Sequence, residues 1–249
     1  MRGLFILFSI AALLLACTGS ASADEAGDRA IKVLDDAMTV AKDQFNVYDC
    51  VTREPDGSER QMTFEVQNKG SEWRRIEILS PADAKGTRVL IRSLTQIYVY
   101  LPAHKKVRRV ASHVRSRDFM GTTMSFDEMA IATYTPYFTG NLLEETDTHW
   151  VVEAIRKKGA DYPFPRLEIE IVRAHGQASA IRYYNDKGVK LKTETRIDYV
   201  CQKKVCSPKK IKMLDHIAGG KYTELTRAKW KVNTGVKDSF FTVRSLQKR

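Results

Sequence analysis

The chain has 249 residues, 43% of them hydrophobic, and a formal net charge of +11 at pH 7. That length supports one domain with a sizeable core, and no Gly/Ser-rich linker or block repeat divides it. Beyond the first two dozen residues no apolar stretch reaches about 18 residues, which excludes a membrane-spanning helix there.

The N-terminus reads as an export signal: Arg2, an apolar run from Leu4 to Ala16, then small residues ending at Ala21-Ser22-Ala23. Cleavage after Ala23 leaves residues 24–249 as one domain in the periplasm. Leu14-Leu15-Ala16-Cys17 also resembles a lipobox, and on that reading Cys17 carries lipid and anchors the protein. Export changes the meaning of the charge. A basic cytoplasmic protein points to nucleic acid. A basic exported one points to anionic lipid head groups, acidic envelope polymers or an acidic protein partner, or else to a basic solvated surface. Nucleic acid is therefore not expected as a partner.

Asp28 to Phe45 is predicted to form an amphipathic helix, because Ile31, Leu34, Met38, Ala41 and Phe45 recur at helical spacing. From Arg60 the period changes to two: Met62, Phe64 and Val66 alternate with Thr63, Glu65 and Gln67. Strands are predicted at Trp73 to Leu79, Thr87 to Arg92, Gln96 to Leu101, Trp150 to Ile155, Leu167 to Val172, Lys210 to Leu214 and Tyr222 to Val232. The alternation is cleanest from Val189 to Tyr199. There Val189, Leu191, Thr193, Thr195, Ile197 and Tyr199 share one face, and Lys190, Lys192, Glu194, Arg196 and Asp198 share the other. Many strands with few helices imply an α+β fold built on a strongly curved antiparallel sheet, closed or partly closed into a barrel.

The rhythm breaks once, between Ser112 and Gly140. Ser125-Phe126-Asp127-Glu128 has capping-box spacing and should start a short helix. Phe119, Met120, Met124, Phe126 and Met129 make this insertion apolar and adaptable, and in an open barrel a core plug of that kind also lines a binding site. The segment before it is basic. Lys105, Lys106, Arg108 and Arg109, then Arg115 and Arg117, follow the apolar Tyr98–Pro102 stretch with no acid between His104 and Arg117. They are candidates for contact with an anionic membrane surface or a membrane partner; the other reading is a solvated edge whose cations block edge-to-edge strand pairing.

Cys201 and Cys206 flank a short loop between two strand-like runs, and in an oxidising compartment they are expected to form a disulfide that staples a hairpin. Cys50 is then left unpaired. No zinc-ligand spacing, phosphate-binding loop, dinucleotide fingerprint, Gly-x-Ser-x-Gly or His-Glu-x-x-His occurs. The five histidines are scattered, and the Asp127-Glu128 and Glu144-Glu145 pairs are explained by helix capping and a turn. Catalytic residues, a metal and a cofactor are not expected.

The order of several short motifs is more specific than any one of them. Ser80-Pro81, Lys85-Gly86-Thr87, the strand Ile97 to Ala103, Lys106-Val107-Arg108-Arg109, Phe119-Met120-Gly121, the helix start at Ser125 to Met129, and the ending Phe241 to Leu246 together resemble the LolA-like outer-membrane lipoprotein-sorting family. The resemblance runs through nearly all of residues 24–249. It implies a half-open antiparallel barrel with helices plugging its mouth and an apolar cavity for lipid or lipoprotein acyl chains. Ile97, Val99, Leu101, Phe119, Met120, Met124, Phe126 and Met129 are the candidate lipid-binding residues. Two features depart from the family pattern: Gly121-Thr122-Thr123 stands where Gly-Ser-Asp is common, and the Cys201 to Cys206 segment is a local elaboration. The implied function is a non-catalytic periplasmic carrier that sorts or delivers its cargo at the outer membrane with an inner- or outer-membrane protein partner. The alternative is an envelope sensor or structural protein of the same fold that signals through a partner.

Overall fold

The structure is a computed structural model that describes residues 24–71 and 73–248, so the expected export signal and Cys17 lie outside the described residues. Asp24 starts helix α1 (Glu25–Thr39) by accepting a hydrogen bond from the Gly27 amide at 2.8 Å. Ala30, Ile31 and Leu34 form its buried face. The helix ends before the expected Phe45. Thr39 and Val40 are β-branched and weaken its last turn, and from Asp43 onward the backbone is paired with a strand on either side.

Thirteen strands follow: β1 (Asp43–Arg53), β2 (Glu59–Lys69), β3 (Trp73–Ser80), β4 (Arg88–Ser93), β5 (Gln96–Leu101), β6 (Lys106–Arg109), β7 (Phe138–Glu145), β8 (His149–Arg156), β9 (Arg166–Val172), β10 (Ala178–Tyr184), β11 (Lys190–Gln202), β12 (Val205–Asp215) and β13 (Tyr222–Val232). They form one antiparallel sheet in the order β6-β5-β4-β3-β2-β1-β13-β12-β11-β10-β9-β8-β7. Every neighbouring pair is consecutive in the chain except β1 with β13. The two edges, β6 and β7, are not paired with each other, so the sheet is open and the fold is α+β.

Residues 110–137 run from one edge of this sheet to the other, and carry α2 (Ser112–Arg115) and α3 (Phe126–Ala130). Leu94, just after β4, shares a core cluster with Val152, Ile169 and Ile181 of β8, β9 and β10. Those strands lie toward opposite edges, so the sheet curls around the segment that joins them. Asp35 of α1 ties that segment down, accepting from the Tyr134 amide at 2.6 Å and the Thr135 amide at 2.9 Å. The predicted capping box is present: Ser125 Oγ accepts from the Glu128 amide at 3.2 Å, and Glu128 Oε2 accepts from the Ser125 amide at 2.6 Å.

β4 is buried on both faces. Val89 and Ile91 pack into the interior, while Leu90 packs with Phe241 and Leu246 of the C-terminal turns on the outside. Alternation in β11 left open which of its two faces is buried. In β11 the charged side points inward: Lys192 and Glu194 are 9% and 7% exposed, whereas Ile197 on the opposite side is 53% exposed. The physical reason is that the inward charges find partners, Lys192 with Glu128 at 3.1 Å and Glu194 with Arg196 at 2.6 Å, so their burial is compensated.

Candidate functional site

Alternation along β1, β2 and β3 decides what the inner face of the sheet presents. Cross-strand register aligns Gln44 with Asn68 and Asn68 with Arg74, then Asn46 with Val66 and Val66 with Ile76, then Tyr48 with Phe64 and Phe64 with Ile78. The inner face therefore grades from a polar rung to apolar ones. Against it lies the crossing segment, and between the two is a cavity of about 220 Å³. Its apolar wall includes Phe64, Val66, Ile76, Phe119, Met124, Met129, Ile131, Ile211, Met213 and Leu225; its polar wall includes Gln44, Asn46, Asn68, Arg74, Gln177, Glu194 and Arg196. A second hollow of about 570 Å³ lies further along β1 and β2, lined by Cys50, Thr52, Arg60, Met62, Ala84 and Met120. Thr122 borders both.

The turn between the hollows depends on left-handed backbone. Met120 and Gly121 have φ of 51° and 82°, and a Cβ at Gly121 would stand 2.2 Å from Arg60 Nη1. The turn is held by Thr122, whose hydroxyl donates to the Phe119 carbonyl at 2.7 Å, and by Thr123, whose hydroxyl donates to the Met213 carbonyl at 2.8 Å. The Thr123 amide also donates to Thr223 Oγ1 at 2.9 Å, so Thr123 fastens the crossing segment to β12 and β13.

The cavity's charges are internally ordered. Lys192 Nζ donates to the Thr123 carbonyl at 2.8 Å and pairs with Glu128, whose carboxyl is pushed up by burial and pulled back by that lysine. Glu194 takes Arg196 Nε at 2.6 Å and the Tyr183 hydroxyl at 3.0 Å. Burial opposes the charge on Arg196, but Glu194, Tyr134 and Tyr199 together outweigh it and its pKa stays raised. Arg74 differs: it donates Nε to Asn68 Oδ1 at 3.0 Å and Nη1 to the Met129 carbonyl, and both acceptors are neutral.

The structure separates the expected lipid-binding residues. Phe119, Met124 and Met129 line the main cavity, and Phe126 stacks edge-on to Phe119 at 5.3 Å behind it. Met120 is 36% exposed and lines the second hollow. Ile97 and Val99 belong to the adjoining core cluster but not to either cavity wall, and half-buried Leu101 belongs to neither. The apolar wall the sequence reading missed comes from β1, β2, β3, β12 and β13. Phe64, Val66 and Ile76 carried the period-two signal, but alternation alone does not say which face a cavity adjoins.

The basic stretch divides as well. Lys105, Lys106, Arg108 and Arg109 lie exposed on or beside edge strand β6, and Arg117 is exposed beyond it. Arg115 is a correction, being only 7% exposed. Its Nη2 lies 2.9 Å from Asp161 Oδ1, its Nε lies 3.5 Å from Asp127 Oδ1, and its Nη1 donates to the Leu94 carbonyl. It fastens the crossing segment inside the fold and is not a surface contact. Cys201 and Cys206 are joined by a disulfide across the β11–β12 hairpin, while Cys50 is buried and has no partner among the described residues, its thiol pushed up to about 11 by burial. Among the described residues, no group of three or more His, Cys, Asp or Glu side chains could hold a metal ion, and no helix is long and apolar enough to cross a membrane.

Among solved structures, the chain is similar to an outer-membrane lipoprotein-sorting protein domain from Vibrio parahaemolyticus, at 22% identity and a TM-score of 0.79 over 90% of this chain and 99% of that one. A DUF1329 family protein from Desulfovibrio piger matches at 19% identity and a TM-score of 0.79, over 88% of this chain and 98% of that one. A LolA superfamily protein from Nitrosomonas europaea matches at 19% identity and 0.73 over the same shares. No curated protein matches the chain. A family model described as "Uncharacterized protein" matches residues 70–248. The chain belongs to that family, and it shares the fold of these three solved structures.

Proposed function

We propose that the protein is a non-catalytic periplasmic carrier that holds lipid or lipoprotein acyl chains and delivers them at the outer membrane. The observation that carries this reading is the cavity between the inner face of the sheet and the crossing segment, walled by Phe64, Val66, Ile76, Phe119, Met124 and Met129. Each methylene moved there from water is worth about 0.8 kcal/mol, so a partly inserted acyl chain offsets the cost of immobilising it. Methionines suit such a wall because their flexible, polarisable side chains adapt to differing chains. Glu128 and Met129 of α3 line the cavity, which suits α3 to the role of plug, and the exposed cations of Lys105, Lys106, Arg108, Arg109 and Arg117 suit a basic edge facing an anionic membrane or membrane partner.

The test is mass spectrometry of solvent extracts from the purified protein, with binding of a fluorescent fatty acid as a second readout. Wild-type protein should yield lipid. Met124→Glu places an unpaired charge in the cavity at a cost of several kcal/mol and should lose lipid while circular dichroism stays native. A wild-type protein that yields no lipid and binds no fatty acid counts against the carrier and favours a structural role for the same fold.

A further inference from the structure

The main cavity is not a uniform apolar slot. Its polar end is built from the rung Gln44–Asn68–Arg74, and the apolar rungs start one step further along the same strands. Two guanidinium groups, Arg74 and Arg196, line it. Of its two lining carboxylates, Glu194 is taken by Arg196 and Glu128 by Lys192. Among the described residues no carboxylate comes within 4.0 Å of Arg74, whose acceptors are an amide oxygen and a backbone carbonyl. A cation facing an apolar-walled space without a counter-charge is costly, and the cost falls when an anion enters.

The neighbours of Arg74 support the same reading. Burial lowers its pKa and Arg196 lowers it further, while Tyr48, Tyr134 and the more distant Glu194 offset this only in part. The Tyr48 hydroxyl, raised by burial, is pulled back by Arg227, Arg74 and Arg196. Tyr48 also lines the cavity. Among the described residues, Arg74 is thus the cavity-lining guanidinium that no carboxylate pairs. Arginine suits this position because its planar fork matches a carboxylate or phosphate.

Resting on the carrier reading, we propose that the cavity selects an anionic amphiphile, whose carboxylate or phosphate head sits at Arg74 on the Gln44–Asn68 rung and whose chain lies over Val66, Ile76 and Phe64. The head group is therefore received inside the protein together with the chain. A neutral lipid of the same chain length leaves Arg74 uncompensated and binds less tightly.

Displacement of the neutral probe N-phenyl-1-naphthylamine from delipidated protein tests this. Oleate should displace it from the wild type at a concentration lower than oleyl alcohol by about tenfold or more. Oleoyl lysophosphatidic acid should exceed monooleoylglycerol likewise, and whichever anion is favoured assigns the source of the head group as free fatty acid or phospholipid. Arg74→Gln should bring each anionic ligand to within about threefold of its neutral partner, and Arg74→Lys should keep part of the preference. Equal displacement by anionic and neutral ligands in the wild type overturns the inference and leaves the carrier reading standing. Equal weakening of both by Arg74→Gln overturns it too. The wild-type comparison decides the matter if the variant does not fold. Failure of the probe and every ligand to bind the wild type overturns the carrier reading and this inference together.

Discussion

Arg115 of α2 and Asp127 of α3 form a buried ion pair, Nε to Oδ1 3.5 Å, in which neither of those two atoms makes a hydrogen bond. The pairing is too long to compensate fully for desolvation. Burial pushes the Asp127 carboxyl up to about 6, against the pull of Arg115. The guanidinium is better served, with Asp161 and the Leu94 carbonyl as hydrogen-bond partners.

This arrangement predicts a specific pH dependence. Asp127 titrates near 3.8 when unfolded and near 6 when folded, so between these values the folded state holds the proton more tightly. Stability from this group therefore falls as pH rises through that window. Urea unfolding of the wild type relative to Asp127→Asn should lose on the order of 3 kcal/mol between about pH 4 and about pH 7. A difference that does not change with pH would show that Asp127 titrates as it does in the unfolded chain.

α1 and β7 touch backbone to backbone at Gly27 and Gly140. A Cβ on Gly27 would lie 2.5 Å from the Gly140 carbonyl carbon, and a Cβ on Gly140 would lie equally close to that of Gly27. The approach is reinforced by the Gly140 amide donating to Asp28 Oδ1 at 2.7 Å. Either Gly→Ala change should destabilise the fold by about 1–3 kcal/mol through overpacking, read as a lower urea midpoint with an unchanged slope. Wild-type midpoints for both variants would mean that helix and strand separate without cost.

Non-reducing peptide mapping should join Cys201 to Cys206 in the protein lacking residues 1–23, and Cys50 should resist alkylation until denaturant is added. The closed loop is short, so replacing both bridge cysteines with serine should cost only about 2 kcal/mol. A peptide linking Cys50 to either partner would contradict the arrangement.

The exposed cations of the β6 edge and the buried Arg115 should separate in experiment. Neutralising Lys105, Lys106, Arg108 and Arg109 should weaken binding to anionic liposomes, by about 1 kcal/mol per residue near the surface at low salt, with little change in stability. Arg115→Ala should do the reverse, costing about 3–5 kcal/mol of stability because Asp127 is left buried without its cation. If liposome binding does not distinguish anionic from neutral lipid, the edge cations serve only to keep β6 from pairing with other chains.

Much of the architecture is local chemistry and could be read directly. The period of two in Met62, Phe64 and Val66 became β2, the Ser125 capping box became the start of α3, and the spacing of Cys201 and Cys206 became a bridged hairpin. Each depends on residues within a few positions of one another. The boundary of α1 was less legible, because Ala41 and Phe45 continue a helical pattern that pairing of Asp43 to Arg53 with β2 and β13 overrides. Strands β7 and β10 passed unread for a related reason: Gly140 at the α1 contact and small Ala178 and Ala180 mask the alternation that larger side chains would show.

Local residue order set the kind of surface each segment could offer, whereas long-range packing set which of those surfaces faces inward. In β11 alternation separated Lys192, Glu194 and Arg196 from Thr193, Thr195 and Ile197, yet which set could be buried depended on Glu128 and Tyr183 arriving from elsewhere in the chain. Arg115 read as one more cation in a basic run until Asp127 and Asp161 enclosed it. Burial of a charge is stabilised or penalised by its partners, and those partners come from the closure of long loops, which local spacing does not encode.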